Sequence, residues 1–266
     1  MAAVKGRRGS RAWAWFWVAL GALYFLLPLY GTLDFSLRLR RDVLSLDAYA
    51  NVLGDAQFRN SFLYSTGLAV ATILASMVLL VPTAYWVHLR LPRWRPVLEF
   101  VTLLPFVVPP IVLVFGLIRL YSRPPLLLVT SPVLLVAGYV VLSFPYMYRA
   151  IDTGLRAMDV RSLTEAAQSL GARPPTILWR VILPNLRVSL ISGAFLTFAT
   201  VIGEFTMAAL LNWPAFGPYL ALIGGNRAYE PAALAILSFG LTWATLGLIG
   251  RIGRGAPGQT PPTGGH

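Results

Sequence analysis

The sequence predicts an all-α membrane protein with six transmembrane helices and one helical hairpin held outside the bilayer. Three observations carry that expectation. Of 266 residues, 57% are hydrophobic and 12% charged, with a mean hydropathy of +0.68; a soluble domain carries about a quarter charged residues. Six apolar runs are each long enough to cross roughly 30 Å of hydrocarbon as a helix, which takes about 20 residues. Between the fourth and fifth runs lies a polar segment, residues 150–184, whose patterning is too regular for a linker.

The expected spans are residues 13–30, 62–87, 98–120, 126–148, 186–211 and 232–249. The first follows Lys5, Arg7, Arg8 and Arg11, as a secretory signal would. Trp13, Trp15 and Trp17 suit an interfacial belt, and no small-residue cleavage site follows, so it reads as a retained signal anchor. Prolines recur inside the spans at Pro28, Pro82, Pro105, Pro109, Pro110, Pro132 and Pro145. Each removes a backbone donor and can kink its helix. Pro105 with Pro109 and Pro110 in one span predicts a broken helix lining a path. Domain organisation follows: a basic cytoplasmic N-terminus over 1–12, a six-helix membrane domain over 13–250, and a Gly/Pro-rich cytoplasmic tail over 251–266 that should be disordered.

Orientation is read from the basic residues. With the N-terminus in the cytoplasm, 15 of the 22 Lys and Arg fall inside, which favours both termini there. The hairpin then faces the cytoplasm. The net charge of +12 does not mark a nucleic-acid binder, because the basic residues flank apolar runs and form no stripe with interleaved aromatics. Their expected partners are anionic lipid headgroups of the bilayer. With no cysteine and only His88 and His266, thiolate and histidine-rich metal sites are excluded.

The hairpin has local chemistry of its own. Ser162 and Glu165 match a capping box at a helix start. Leu163, Ala166, Ala167 and Leu170 fall on one face, a low-profile stripe. Gly171 is placed to end that helix in the left-handed conformation. Pro174 and Pro175 suit the first turn of a second helix running past Trp179 towards Pro184. The spacing alone fits either an amphipathic hairpin lying on the membrane or a docking knob.

The same residues resemble the cytoplasmic loop of ABC-importer permeases of the MetI-like, type I kind. Glu165-Ala166-Ala167 is followed after three residues by Gly171, and nine more bring the chain to Val181, with Leu183 and Pro184 in register. Val181 stands where that family prefers isoleucine. The resemblance extends through Asp152, Gly154 and Asp159 before the motif and Gly203-Glu204-Phe205 after it, covering about 47–250. It implies a coupling helix seated in a cleft of a separate ATPase dimer. Glu165, Ala166, Ala167, Gly171, Leu183 and Pro184 would be its coupling residues, and catalysis would fall to none of them. The partners implied are the ATPase, a second permease (identical or sister) and an extracytoplasmic solute-binding protein. The chain carries no Gly-x4-Gly-Lys phosphate loop, so ATP would bind the ATPase and this chain would need no cofactor. A bacterial inner-membrane location follows from the same resemblance.

Glu204 is the carboxylate placed within an expected span. It reads either as a pathway residue, together with Pro105, Pro109 and Pro110, or as an interfacial acid paired with Arg119 or Arg227. As a pathway acid it would suit a polyamine-like cation; the resemblance also covers ferric iron, thiamine and aminoethylphosphonate permeases. A stand-alone secondary carrier or channel is the competing class. No internal repeat speaks for it.

Overall fold

The computed structural model describes residues 7–39, 43–125 and 127–254. Its helices are α1 (Arg7–Ser36), α2 (Asp47–Gly54), α3 (Ala56–Arg90), α4 (Arg95–Val107), α5 (Pro110–Tyr121), α6 (Pro132–Arg156), α7 (Val160–Ser169), α8 (Pro174–Ile177), α9 (Leu183–Asn185), α10 (Arg187–Gly203), α11 (Thr206–Leu210), α12 (Phe216–Asn226) and α13 (Glu230–Arg254). The chain falls into two compact units, one of residues 1–55 and 222–244, the other of residues 56–221 and 245–266.

In the first unit, α1 presents a 24-residue apolar stretch, Trp13–Ser36, with none of its most apolar window buried. A helix apolar all round and uncovered is one solvated by lipid. Its C-terminal end is fixed by the Ser36 hydroxyl against the Tyr49 hydroxyl at 2.7 Å and by Phe35 stacked on Tyr229 at 4.7 Å.

The second unit is built on α3, α6 and α10. The buried face of α3 runs Ser61, Ser65, Ala69, Thr72, Ser76, Leu80 and Ala84, repeating every three or four positions and small at all but Leu80. Lipid is as apolar as a leucine, so helices in a bilayer associate through close packing, which small residues allow. Gly154 and Gly193 do the same between α6 and α10: a methyl at Gly154 would lie 2.5 Å from Ser189 Oγ and 2.6 Å from Leu186 Cδ2, and one at Gly193 would lie 2.9 Å from Met147 Sδ.

Several expected boundaries are corrected. The third expected span is broken, as its doubled proline predicts, into two helices, α4 and α5, meeting at 98° across Val108 and Pro109. The fourth begins at Pro132 rather than 126, because proline at the first turn with Ser131 as cap starts a helix instead of interrupting one. The fifth stops at Gly203, with a separate short helix from Thr206. At its other end it meets the Pro174–Asn185 helix at 76°. Helix α13 continues to Arg254, four residues beyond the expected boundary; the rest of the expected tail, 255–266, lies outside the described residues, as does the start of the N-terminal segment, 1–6. Pro28, Pro82, Pro105 and Pro145 sit inside continuous helices. Three described helices satisfy a spanning criterion by length and composition, or five if each bent pair is one span.

Gly154→Ala tests the α6–α10 contact. The added methyl meets a side chain held on a packed helix, so the variant should lose about 1–3 kcal/mol, read as a lower thermal midpoint in detergent. An unchanged midpoint would contradict the close approach.

Candidate functional site

The hairpin is assembled from α7, a glycine turn and a second helical stretch. Asp159, not Ser162, caps α7: its carboxylate accepts from the Ser162 amide at 3.1 Å and the Ser162 hydroxyl at 2.6 Å. Those two bonds hold the Asp159 carboxyl below the usual aspartate range. The expected capping box is thereby corrected: Ser162 lies inside the first turn, and Glu165 instead pairs with Arg161 at 2.8 Å, one turn back. The face is corrected too. Val160 and Thr164 are buried and Ala167 packs on the core, whereas Ala166 is exposed and Leu170 is 89% exposed.

Gly171 behaves as expected. Its φ is +81°, its amide donates to the Gln168 carbonyl at 2.9 Å, and the Ala172 amide reaches the Ala167 carbonyl at 3.0 Å. That pair of bonds is the Schellman ending, which needs a left-handed residue at this position. Arg173 then caps α8 in extended conformation with Pro174 at its first position. Residues Leu178–Ile182 widen into a π-helical turn before α9. Pro184 has no amide to give the carbonyl four residues back, and a wider register accommodates that loss. Ile177 and Ile182 are fully buried on this arm, Leu183 packs partly against the core, and Pro184 and Trp179 face outward, Trp179 at 62% exposure.

The hairpin is anchored to the bundle. Val160, Ile177 and Ile182 share one apolar cluster with Leu80, Tyr85, Ile151 and Leu186. Inside that contact the Tyr85 and Thr164 hydroxyls are 3.1 Å apart, tying α7 to α3.

Beside it lies a charged network that sequence reading missed. Asp152, 8% exposed, accepts from Arg95 at 2.8 Å and from Arg156 at 2.7 Å. Arg156 also reaches Glu99 at 2.8 Å, Arg95 lies 3.5 Å from Glu99, and His88 Nδ1 is 3.9 Å from Asp152. The Asp152–Arg156 spacing of four was legible, but Arg95 is 57 residues away, and no local pattern announces such a partner.

Glu204 sits at the break between α10 and α11, 9% exposed. Its carboxylate accepts from the Met207 amide at 3.0 Å, the Ala208 amide at 3.3 Å and the Tyr139 hydroxyl at 3.2 Å. These partners are backbone amides and a phenol, not an arginine. A methyl on Gly217 would collide with the Glu204 carbonyl oxygen and lie 2.8 Å from its carbon, so α12 starts directly against this break. The other break lies at Val108 and Pro109, with Pro110 opening α5 and Pro105 still inside α4, beside an apolar cavity of about 190 Å³ lined by Val101, Leu104, Pro105, Val108, Leu113 and Phe144. No cluster of three metal-ligating side chains occurs among the described residues.

Residues 81–255 match the family described as binding-protein-dependent transport system inner membrane component. The chain belongs to that family. It is 32% identical over 203 residues to "Probable ABC transporter permease protein y4fN" of Sinorhizobium fredii, covering 72% of this chain and 35% of that protein. It is 31% identical over 200 residues to a "Probable molybdenum ABC transporter permease protein" of Haloferax volcanii, covering 72% of this chain and 70% of the relative. To the spermidine/putrescine transport system permease protein PotB of Escherichia coli it is 27% identical over 186 residues, 64% of this chain and 66% of PotB. The chain therefore spans only about a third of the first of these relatives. Among solved structures it resembles a chain of a bacterial ABC transporter involved in the import of alginate, with a TM-score of 0.68 at 18% identity, covering 94% of this chain and 99% of that one. At that identity the likeness speaks for the fold alone. The fold is thus the all-helical one of MetI-like ABC permeases.

Glu204→Ala leaves two buried amides and the Tyr139 hydroxyl without their acceptor. A loss of about 1–3 kcal/mol is expected. Glu204→Gln, which keeps an acceptor oxygen, should lose less. Equal thermal midpoints for both variants and the parent would rule out the capping role.

Proposed function

We propose that this chain is the membrane permease subunit of an ATP-binding-cassette importer and that its hairpin docks a separate ATPase dimer. One observation carries the reading: the family motif falls on a rigid helical knob whose inner face is locked into the bundle and whose outer face is bare. Ala166, Leu170, Gly171 and Trp179 are exposed at the tip, with Glu165 paired beside them. Small side chains let a partner backbone approach, and a leucine and a tryptophan supply apolar anchors around them. Rigidity matters as much as shape, because a lever must move as one piece with what it drives.

On this reading the chain lies in a bacterial inner membrane with both termini and the hairpin cytoplasmic, six spans in all. It pairs with a second permease, identical or sister, and takes a small solute from an extracytoplasmic binding protein. ATP is bound and hydrolysed by the ATPase, and this chain is not an enzyme. The two proline and glutamate breaks would line the path. PotB is named for spermidine and putrescine and the Haloferax relative for molybdenum, so relatives of one fold differ in solute. The Glu204 carboxylate, already engaged by amides, offers a cation little, and the proposal assigns selection to the binding protein. A polyamine stays the first solute to try, with ferric iron, thiamine, aminoethylphosphonate and a molybdenum oxyanion after it.

Gly171→Val tests docking. No neighbour lies within 4 Å of a β-carbon at Gly171, so the site is not crowded, while its φ of +81° is one that a β-branched residue resists. The variant should insert normally yet copurify with at least about tenfold less ATPase, the effect of roughly 1.4 kcal/mol at the tip. Undiminished copurification would count against the hairpin as the dock.

A further inference from the structure

The charged network at the hairpin end of the bundle joins two elements that the apolar core leaves only partly connected. Helix α6 leads within four residues of its end, Arg156, into α7. Helix α4 leads directly into the 98° break at Val108 and Pro109. Asp152 on α6 is held between Arg95 on α4 and Arg156 on its own helix, and Arg156 bonds on to Glu99 of α4. Both helices thus contribute a cation and a carboxylate. The contact also lines a cavity of about 280 Å³ that includes Glu99, Thr102, Tyr148, Asp152, Thr153 and Arg156. Farther along, the α4–α6 contact is softer: Phe106 meets Tyr146 edge-on at 5.6 Å, and the apolar cavity of about 190 Å³ sits beside the break itself.

A nearly buried carboxylate between two guanidinium groups is stiff, because drawing it away from them leaves its charge without a partner in a poorly solvated place; Arg156 and Glu99, with side chains 53% and 42% exposed, carry the network outward to solvent. An apolar contact beside a cavity can slide. We propose that Asp152 is a positioning residue: with Arg95, Arg156 and Glu99 it clamps α4 to α6, so that a push on the hairpin reaches the proline break between α4 and α5. This rests on the permease reading, since that reading supplies the push. It adds which helix receives it and through which side chains. The clamp fixes the near end of α4, the break gives the far end freedom, and α5 swings about Val108.

The test removes the buried part of the clamp, the Arg95–Asp152 pair, without leaving a buried charge alone. Arg95→Met with Asp152→Leu replaces both partners by apolar side chains of similar size, a change that buried ion pairs often tolerate without loss of stability; Arg156 keeps Glu99. The chain has no cysteine, so Val112→Cys on α5 and Val133→Cys on α6, both exposed, take spin labels selectively. Distances between the labels are measured in the complex with its copurifying ATPase, first nucleotide-free and then trapped with ATP and vanadate. With the native charges the distance should shift by at least about 2 Å on trapping, the scale of helix displacements in such transitions. The doubly substituted protein should keep its thermal midpoint within about 4 °C and its bound ATPase, yet show less than half that shift. An equal shift in both proteins, or none with the native charges, overturns the proposal. Loss of the ATPase from the parent protein would instead overturn the permease reading, and copurification before labelling separates the two failures.

Discussion

Backbone groups without partners are intolerable in hydrocarbon, where each would forfeit several kcal/mol, and this chain is arranged around that constraint wherever it departs from a straight helix. At the Gly203–Phe205 break, amides that α10 cannot satisfy are taken up by the Glu204 carboxylate. At the Val108–Pro109 break, Pro109 and Pro110 have no amide to leave stranded, and the Pro109 carbonyl accepts from Val112 at 2.9 Å. Ahead of Pro184 the helix widens by a π-turn, and the Leu186 amide recovers the Ile182 carbonyl at 3.0 Å. Each interruption is closed by something within a few residues in sequence, so none strands its amides at the bend.

The hairpin, which the permease reading places outside the bilayer, obeys the same logic. Asp159 closes the start of α7, the Gly171 turn closes its end, and Thr164 with Tyr85 satisfies the polar group that faces inward. With its backbone accounted for and its inner face packed, the knob is suited to move as one piece. What it leaves uncovered is a small-residue tip flanked by Leu170 and Trp179. The charged network stands between this knob and the broken helix, which gives the polar residues at the hairpin end a mechanical meaning beyond holding the protein at a headgroup layer.

Much of this was legible from residues alone, and what was not has a physical reason. Runs of apolar residues announce helices in lipid because no other backbone form is satisfied there. Gly171 was legible since one residue type suits a left-handed position, and the doubled proline at 109–110 since two missing amides cannot sit inside one helix. The cap was misplaced because Asp159 and Ser162 are both good caps three residues apart, and the choice between them is made by which face must be buried. That face was misassigned because leucine outranks threonine by hydrophobicity, yet Thr164 has Tyr85 to bond and Leu170 has been left outside. Glu204 looked like a charge in search of a substrate because its acceptors' partners are backbone amides, which a sequence never displays. Arg95 and Asp152 were invisible as a pair for the same reason that any tertiary contact is.

The central claim is that the tip of the hairpin meets an ATPase. A single cysteine placed at Ala166, in a chain that otherwise has none, tests it by short-range crosslinking in intact cells. The account predicts one dominant adduct, with an ATP-hydrolysing subunit, that disappears when the cysteine is moved to the buried inner face at Thr164. An Ala166 cysteine that captures only lipid-facing or unrelated proteins would contradict it.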